Sequence, residues 1–192
     1  MDARDSSETI AEVEARGAKR LALMIAIFAM LLSLAELSGS NAEQDALKYN
    51  IDAANLWSFF QAKTIRKSQL ERASELLALE VDGAAPDGRA ARLAQLEEWQ
   101  ATIARYESEP EVQEGRRELA ARAQAAEAQR DHALAVDNMF DYSSAALQLA
   151  IVLASASVVL SVGFLAWIAG GLGGVGLVFA GLGWWAPTLL PL

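Results

Sequence analysis

The chain has 192 residues, 53% of them hydrophobic, with a formal net charge of −9 and no cysteine. Lack of cysteine excludes disulfides, thiolate catalysis and thiolate metal sites, and an acidic balance with Lys and Arg mixed among the acids argues against nucleic acid as a partner. The apolar residues are gathered in two blocks instead of being spread evenly, which is the pattern of a membrane protein.

In chain order, residues 1–20 form a charged N-terminal segment that ends on Arg16, Lys19 and Arg20. The run LALMIAIFAMLLSLA that follows is uncharged until Glu36, and we read residues 21–37 as a first transmembrane helix. A secretory signal is the alternative, but the preceding segment is long and acidic, and Glu36-Leu37-Ser38-Gly39-Ser40 is a loose cleavage site. Cationic residues before a first span stay in the cytoplasm during insertion, so the N-terminus is expected there. The acids Glu43 and Asp45 after this span, and Asp137 and Asp141 before the next, agree with a far-side location for what lies between.

Residues 38–142 are expected to form a helical, coiled-coil-like extramembrane segment. Residues 41–82 contain neither Pro nor Gly and predict one long helix, which ends at the loop DGAAPDG, Asp82 to Gly88. A second helix is expected from a cap at Asp87 to just before Pro110. SEPE, Ser108 to Glu111, fits a capping box with Pro110 in the first turn, and so predicts the start of a third helix that enters the membrane without a break. The Ala-rich positions Ala120, Ala123, Ala126/Ala128 and Ala133 suit close antiparallel, coiled-coil-like helix packing.

Within the first long helix, the stretch NLWSFFQAK concentrates aromatic side chains in an otherwise charged segment. At 100° per residue, Leu56, Trp57, Phe59 and Phe60 share one arc, while Asn55, Ser58 and Gln61 form an uncharged polar stripe on the other side. The arc is expected to pack on the other long helices, with Trp99 as its counterpart, because aromatic burial gives a thin Ala-rich bundle a core. Both sides look buried or half-buried. For the polar stripe, interhelical hydrogen bonds that fix register or oligomer state and plain solvation remain alternatives.

From Ser143 to Leu192 there is no charged residue and no histidine. Those 50 residues would run about 75 Å as helix, enough for two spans of a bilayer core about 30 Å thick. We place the spans at 143–162 and 164–185, with a tail at 186–192. The turn falls near Ser161 to Gly163 or, alternatively, at Gly170 to Gly174, and Trp184 and Trp185 mark the final interface. The glycines lack the Lys of a phosphate loop. Gly170 with Gly174, and Gly176 with Ala180, instead have the four-residue spacing that brings helices close in lipid, and Ser155 and Ser157 are expected to form interhelical hydrogen bonds.

No catalytic, cofactor or metal constellation emerges. His132 is a lone histidine beside Asp131, suited to a solvated helix face. Ser–Lys pairs such as Lys67/Ser68 lack a positioned base and an orienting group.

The run AANLWSFFQAKTIRKSQLE, set after a short N-terminal span and before a C-terminal pair, resembles an uncharacterised bacterial inner-membrane family catalogued as domain of unknown function DUF4337. The match rests on Asn55, Trp57, Phe59, Phe60, Gln61, Ala62 and Lys63. The resemblance implies a multi-pass membrane protein with a helical extramembrane segment, and implies no activity. It also leads one to expect basic residues in the last hairpin turn, and this chain has none there. The sequence thus predicts an all-α membrane protein with three transmembrane helices, whose function is non-enzymatic scaffolding by self-association or by binding a membrane complex. An oligomeric channel or transporter accessory subunit, with Ser155, Ser157 and the glycines along a path, is the alternative.

Overall fold

The computed structural model describes residues 3–82 and 86–190, with side chains over 16–81 and 88–190. All regular structure among them is helical: α1 (Ala3–Asp82), α2 (Pro86–Glu107), α3 (Arg116–Leu160) and α4 (Gly163–Trp185). The first span and the long helix expected after it are one uninterrupted element of 80 residues, α1. Residues 83–85 of the DGAAPDG loop lie outside the described residues; α2 already begins at Pro86, so Asp87 belongs to its first turn rather than preceding it.

The third helix starts later than SEPE predicts. Residues 108–115 are a turn, and α3 opens at Arg116. The reason is a different cap. Ser108 Oγ donates to Glu118 Oε1 at 2.6 Å, and the Glu109 backbone N–H donates to Glu118 Oε2 at 3.1 Å. Glu118 in the first turn of α3 thus takes over the work expected of Glu111, and an acid is favoured there by the helix dipole. Gln113 adopts φ of 60° to close the turn, and Gly115 is buried where a Cβ would run into Ser108, Glu109 and Glu118. From Arg116, α3 does continue unbroken to Leu160.

The chain divides into two compact units, one comprising residues up to Ala46 and from Asp131 onward, the other Leu47–Arg130. In the first unit, α1, α3 and α4 pack on Phe28, Leu147 and Ala150, with Met24, Leu31, Leu32, Ile151 and Leu172 around them. Small side chains extend the α1–α3 contact beyond these: Ala42, Ala46 and Ala133 are buried, and Gly39 lies so close to α3 that a Cβ would be 3.3 Å from Phe140 Cβ. This packing explains why 38–46 and 131–142 belong to the first unit although no hydrophobic run marks them.

Three helical segments, in α1, α3 and α4, are long and apolar enough to cross a membrane. Large apolar side chains on them, including Leu23, Met30, Val152, Val159, Phe164 and Trp167, face outward. Such a surface is suited to lipid, where no water is present to penalise it. The break between α3 and α4 is at Ser161 and Val162, where Ser161 takes φ of 54° and Ser157 Oγ donates to Val162 O at 3.0 Å.

On α4 the close-packed face is not the one formed by Gly170 and Gly174, which are exposed with open space beside them. Ala169, Gly173, Gly176 and Gly183 are the buried residues of the helix, spaced four, three and seven apart. A Cβ on Gly173 would strike the Phe28 ring, and one on Gly176 would be 2.8 Å from Leu147 Cγ. Ala180 is half-buried on the same side, so of the two expected pairs only Gly176 with Ala180 lies on the packing face. The interhelical hydroxyl is Ser143, whose Oγ donates to Gly176 O at 2.8 Å. Ser155 instead donates to Ile151 O in its own helix and is exposed, which corrects the role expected for it.

Substituting Leu at Gly173 or Gly176 should therefore separate α4 from α1 and α3 and destabilise the protein by about 1–3 kcal/mol, as overpacking does. Leu at Gly170 or Gly174 should leave the stability in mild detergent within about 0.5 kcal/mol of the parent, as substitutions on open surface do.

Candidate functional site: the α1 ridge and the α2–α3 turn

In the second unit, the aromatic stretch leads into a ridge of α1 formed by Phe60, Lys63, Thr64 and Lys67, which recur at helical spacing and therefore share one face. The α2–α3 turn is bound to this ridge. Lys67 Nζ donates to Glu107 Oε2 at 2.8 Å, and Arg116 Nη1 donates to the same oxygen at 2.7 Å. Arg116 Nε donates to Thr64 Oγ1 at 2.9 Å, and its guanidinium lies 5.0 Å from the Phe60 ring centre. Lys63, buried, is 3.8 Å from Glu109 and 3.9 Å from Glu114, with the Tyr106 ring 5.4 Å away.

Trp57 adds a direct link to α3: its Nε1 donates to Glu127 Oε1 at 2.9 Å, and its ring meets Phe60 edge-on with centres 5.4 Å apart. The aromatics thus supply both a polar handle and a cation–π platform. Phe60 and Trp57 are half-buried as the arc predicts, but Phe59 is exposed. Asn55, Ser58 and Gln61 are exposed as well, which corrects the expectation that both sides are buried or half-buried and agrees with the solvated alternative for the stripe, and Ser58 Oγ donates to Ala54 O of its own turn. Trp99 is half-buried on α2 and takes part in none of the ring pairs of the arc. Asn55 and Phe59 line an open groove of about 650 Å³ between α1 and α3, with buried Leu119 among its lining residues and Asp52 and Arg122 beside them.

Charge at the ridge is mutually supporting. The Glu107 carboxyl is held below its usual range first by the hydrogen bond from Lys67, opposed by burial and helped by the charges of Lys67 and Arg116. The Lys67 ammonium is raised above its usual range by the same hydrogen bond. Glu118 is lowered first by the Ser108 hydroxyl. The arrangement holds helices together and presents no nucleophile with a positioned base.

A second cluster lies in the first unit. Glu36, Glu43, Asp137 and Asp141 surround a cavity of about 280 Å³ with Ser144 and Gln148, and Gln148 Nε2 donates to Glu36 Oε1 at 3.3 Å. Burial, then the charges of Asp141 and Glu43, raise the Asp137 carboxyl. His132 is exposed on α3. Among the described residues no group of His, Cys, Asp and Glu has metal-binding geometry.

The sequence pattern of a family described as a domain of unknown function, DUF4337, matches residues 17–186. The chain belongs to that family. No curated protein and no solved structure matches it. In this DUF4337 chain the match takes in the apolar helices, the ridge and the α2–α3 turn together.

Lys63 entered only through the family resemblance and Lys67 only in a Ser–Lys pair; a helix-fastening role for Lys63, Thr64, Lys67, Glu107, Arg116 and Glu127 was not expected from the sequence. The available signal was the i, i+3, i+4, i+7 spacing of Phe60, Lys63, Thr64 and Lys67, opposite a turn bounded by Glu107 and Arg116.

Two predictions follow from these charges. Lys67→Met and Arg116→Met should each destabilise the protein by about 0.5–1 kcal/mol, and the double variant by more than the sum, since each single variant leaves the other cation on the same Glu107 oxygen and relieves the repulsion between the two; denaturation followed by helical circular dichroism measures this. Because the Glu107 pKa is lowered on folding, its contribution is complete above the ordinary carboxylate pKa and is lost as pH falls through the depressed value. Asp137 has the opposite sign: its raised pKa makes the folded state progressively less favoured as pH rises through the carboxylate range. Asp137→Asn should raise the thermal midpoint at pH 7–8, with the gain vanishing near about pH 4.

Proposed function

We propose that the chain is a non-enzymatic integral scaffold of the bacterial inner membrane, with its N-terminus in the cytoplasm. Its three apolar helices anchor a helical segment that associates with further copies or with a membrane complex. Support comes above all from how the segment is built. The α2–α3 turn is fastened to α1 by Lys67, Arg116 and Lys63, which orders a long, thin helical surface without building a deep core. Arg16, Lys19 and Arg20 before the first apolar run support the orientation. A path through the protein lined by Ser155 and Ser157 has less to favour it, since the first bonds its own helix and the second closes the α3–α4 turn.

Cross-linking and light scattering of the intact protein in mild detergent test this reading. A protein mass above the 20.6 kDa of one chain, or a stoichiometric co-purifying membrane protein, is the expected result. A strictly monomeric protein without a companion contradicts it.

A further inference from the structure

In the second unit, α1 packs on its inner side and exposes an apolar stripe on the opposite one. Its inner side carries the buried Ala53, Lys63 and Ser74 and the ridge described above. At 100° per residue, Leu47, Ile51, Ile65, Leu76 and Leu79 fall within about 100° of arc on the other side. These five are exposed, at 56%, 58%, 58%, 65% and 76%. Between them the same arc holds Ala54, Ser58 and Ala62, all exposed and small. Arg72 is the one charge well inside the arc, and its aliphatic stem can lie along an apolar surface.

We propose that this outer stripe of α1, Leu47 to Leu79, is the contact surface for a second copy of the chain, with the two α1 helices running in the same direction. The proposal rests on the scaffold reading and names the surface it uses.

Lipid does not suit the stripe. Its 33 residues run about 48 Å, longer than a bilayer core of about 30 Å, and charged residues flank it along its length. A second copy does suit it. In a parallel pair each position meets its equivalent, so Leu47, Ile51, Ile65 and Leu76 form apolar layers, while Ala54, Ser58 and Ala62 let the backbones approach at the middle. The flanks favour the same direction. Lys48 and Arg66 lie on one edge of the stripe, and Glu71 and Glu75 lie on the other. Parallel helices bring Arg66 to the edge that carries Glu71 and Glu75, five and nine residues further on, whereas antiparallel ones set like edge against like. Each Leu or Ile contributes roughly 100 Å² on the transfer scale, so these five supply about 500 Å² per copy. The rest of the arc and the flanking stems extend this towards the roughly 800 Å² per partner of a stable interface.

The chain has no cysteine, which makes single-cysteine oxidation in native membranes a clean test. Ile51→Cys and Leu76→Cys should each give self-linked dimers several-fold above a Gln124→Cys control on the exposed part of α3. Each variant's thermal midpoint checks that it has folded. Links that form only when the Ile51→Cys and Leu76→Cys chains are mixed would overturn the parallel arrangement. Capture of a different protein at both positions would overturn the second copy as occupant. If neither position links although light scattering shows an oligomer, the surface is wrong and the scaffold reading stands; if the protein is also monomeric and alone, both fall.

Discussion

The structure depends on the continuity of α1. Between Asn41 and Asp82 the sequence offers no Gly or Pro to break the helix, and Gly39, just before that stretch, sits against Phe140 and Asp137 where its lack of a side chain is used for packing. An unbroken helix gives each later element a template. Residues Met24 to Ala46 receive α3 and α4, and residues Leu47 to Val81 receive α2, the turn and the first part of α3. Helical propensity alone does not account for a helix of 80 residues; tertiary contacts within each unit support their own part of it.

The two units solve the packing problem by different chemistry. Where the helices are apolar on the outside, they meet by close approach and an internal hydrogen bond, the kind of contact that suits lipid, where burying more apolar surface gains little. Ala169, Gly173, Gly176 and Gly183 supply the approach, and Ser143 supplies a buried hydroxyl bond to the Gly176 carbonyl. In Leu47–Arg130 the contacts are polar and aromatic: Trp57 with Glu127, Arg116 over Phe60, and two cations on one Glu107 oxygen. Ion pairs that are partly exposed are individually weak, but several sharing one turn fix its position.

The helical class, the three apolar segments and the α3–α4 break were legible because long uncharged runs and turn chemistry are local signals. Helix faces were less so. Gly170 and Gly174 have the expected spacing yet face outward, since which of several glycine rows is used depends on where Phe28 and Leu147 arrive from other helices. SEPE misled for a related reason: its local capping box competes with Glu118, ten residues beyond Ser108, and the longer-range bond wins because it also fits the buried Gly115. The aromatic stretch was recognised as a packing feature, but no local signal marked its cationic continuation through Lys63 and Lys67 as part of the same contact. Only the fold brings Glu107 and Arg116 to it.

An accessibility scan of α1 tests the central claim most directly. Spin labels placed one at a time from Leu21 to Leu79, in the otherwise cysteine-free protein in bilayers, report contact with oxygen or with a water-soluble nickel complex. The account predicts oxygen contact through residues 21–37, water contact beyond the mid-forties, and one 3.6-residue rhythm continuing across the change without a phase break. Water contact throughout, or loss of the rhythm near Gly39, would contradict it.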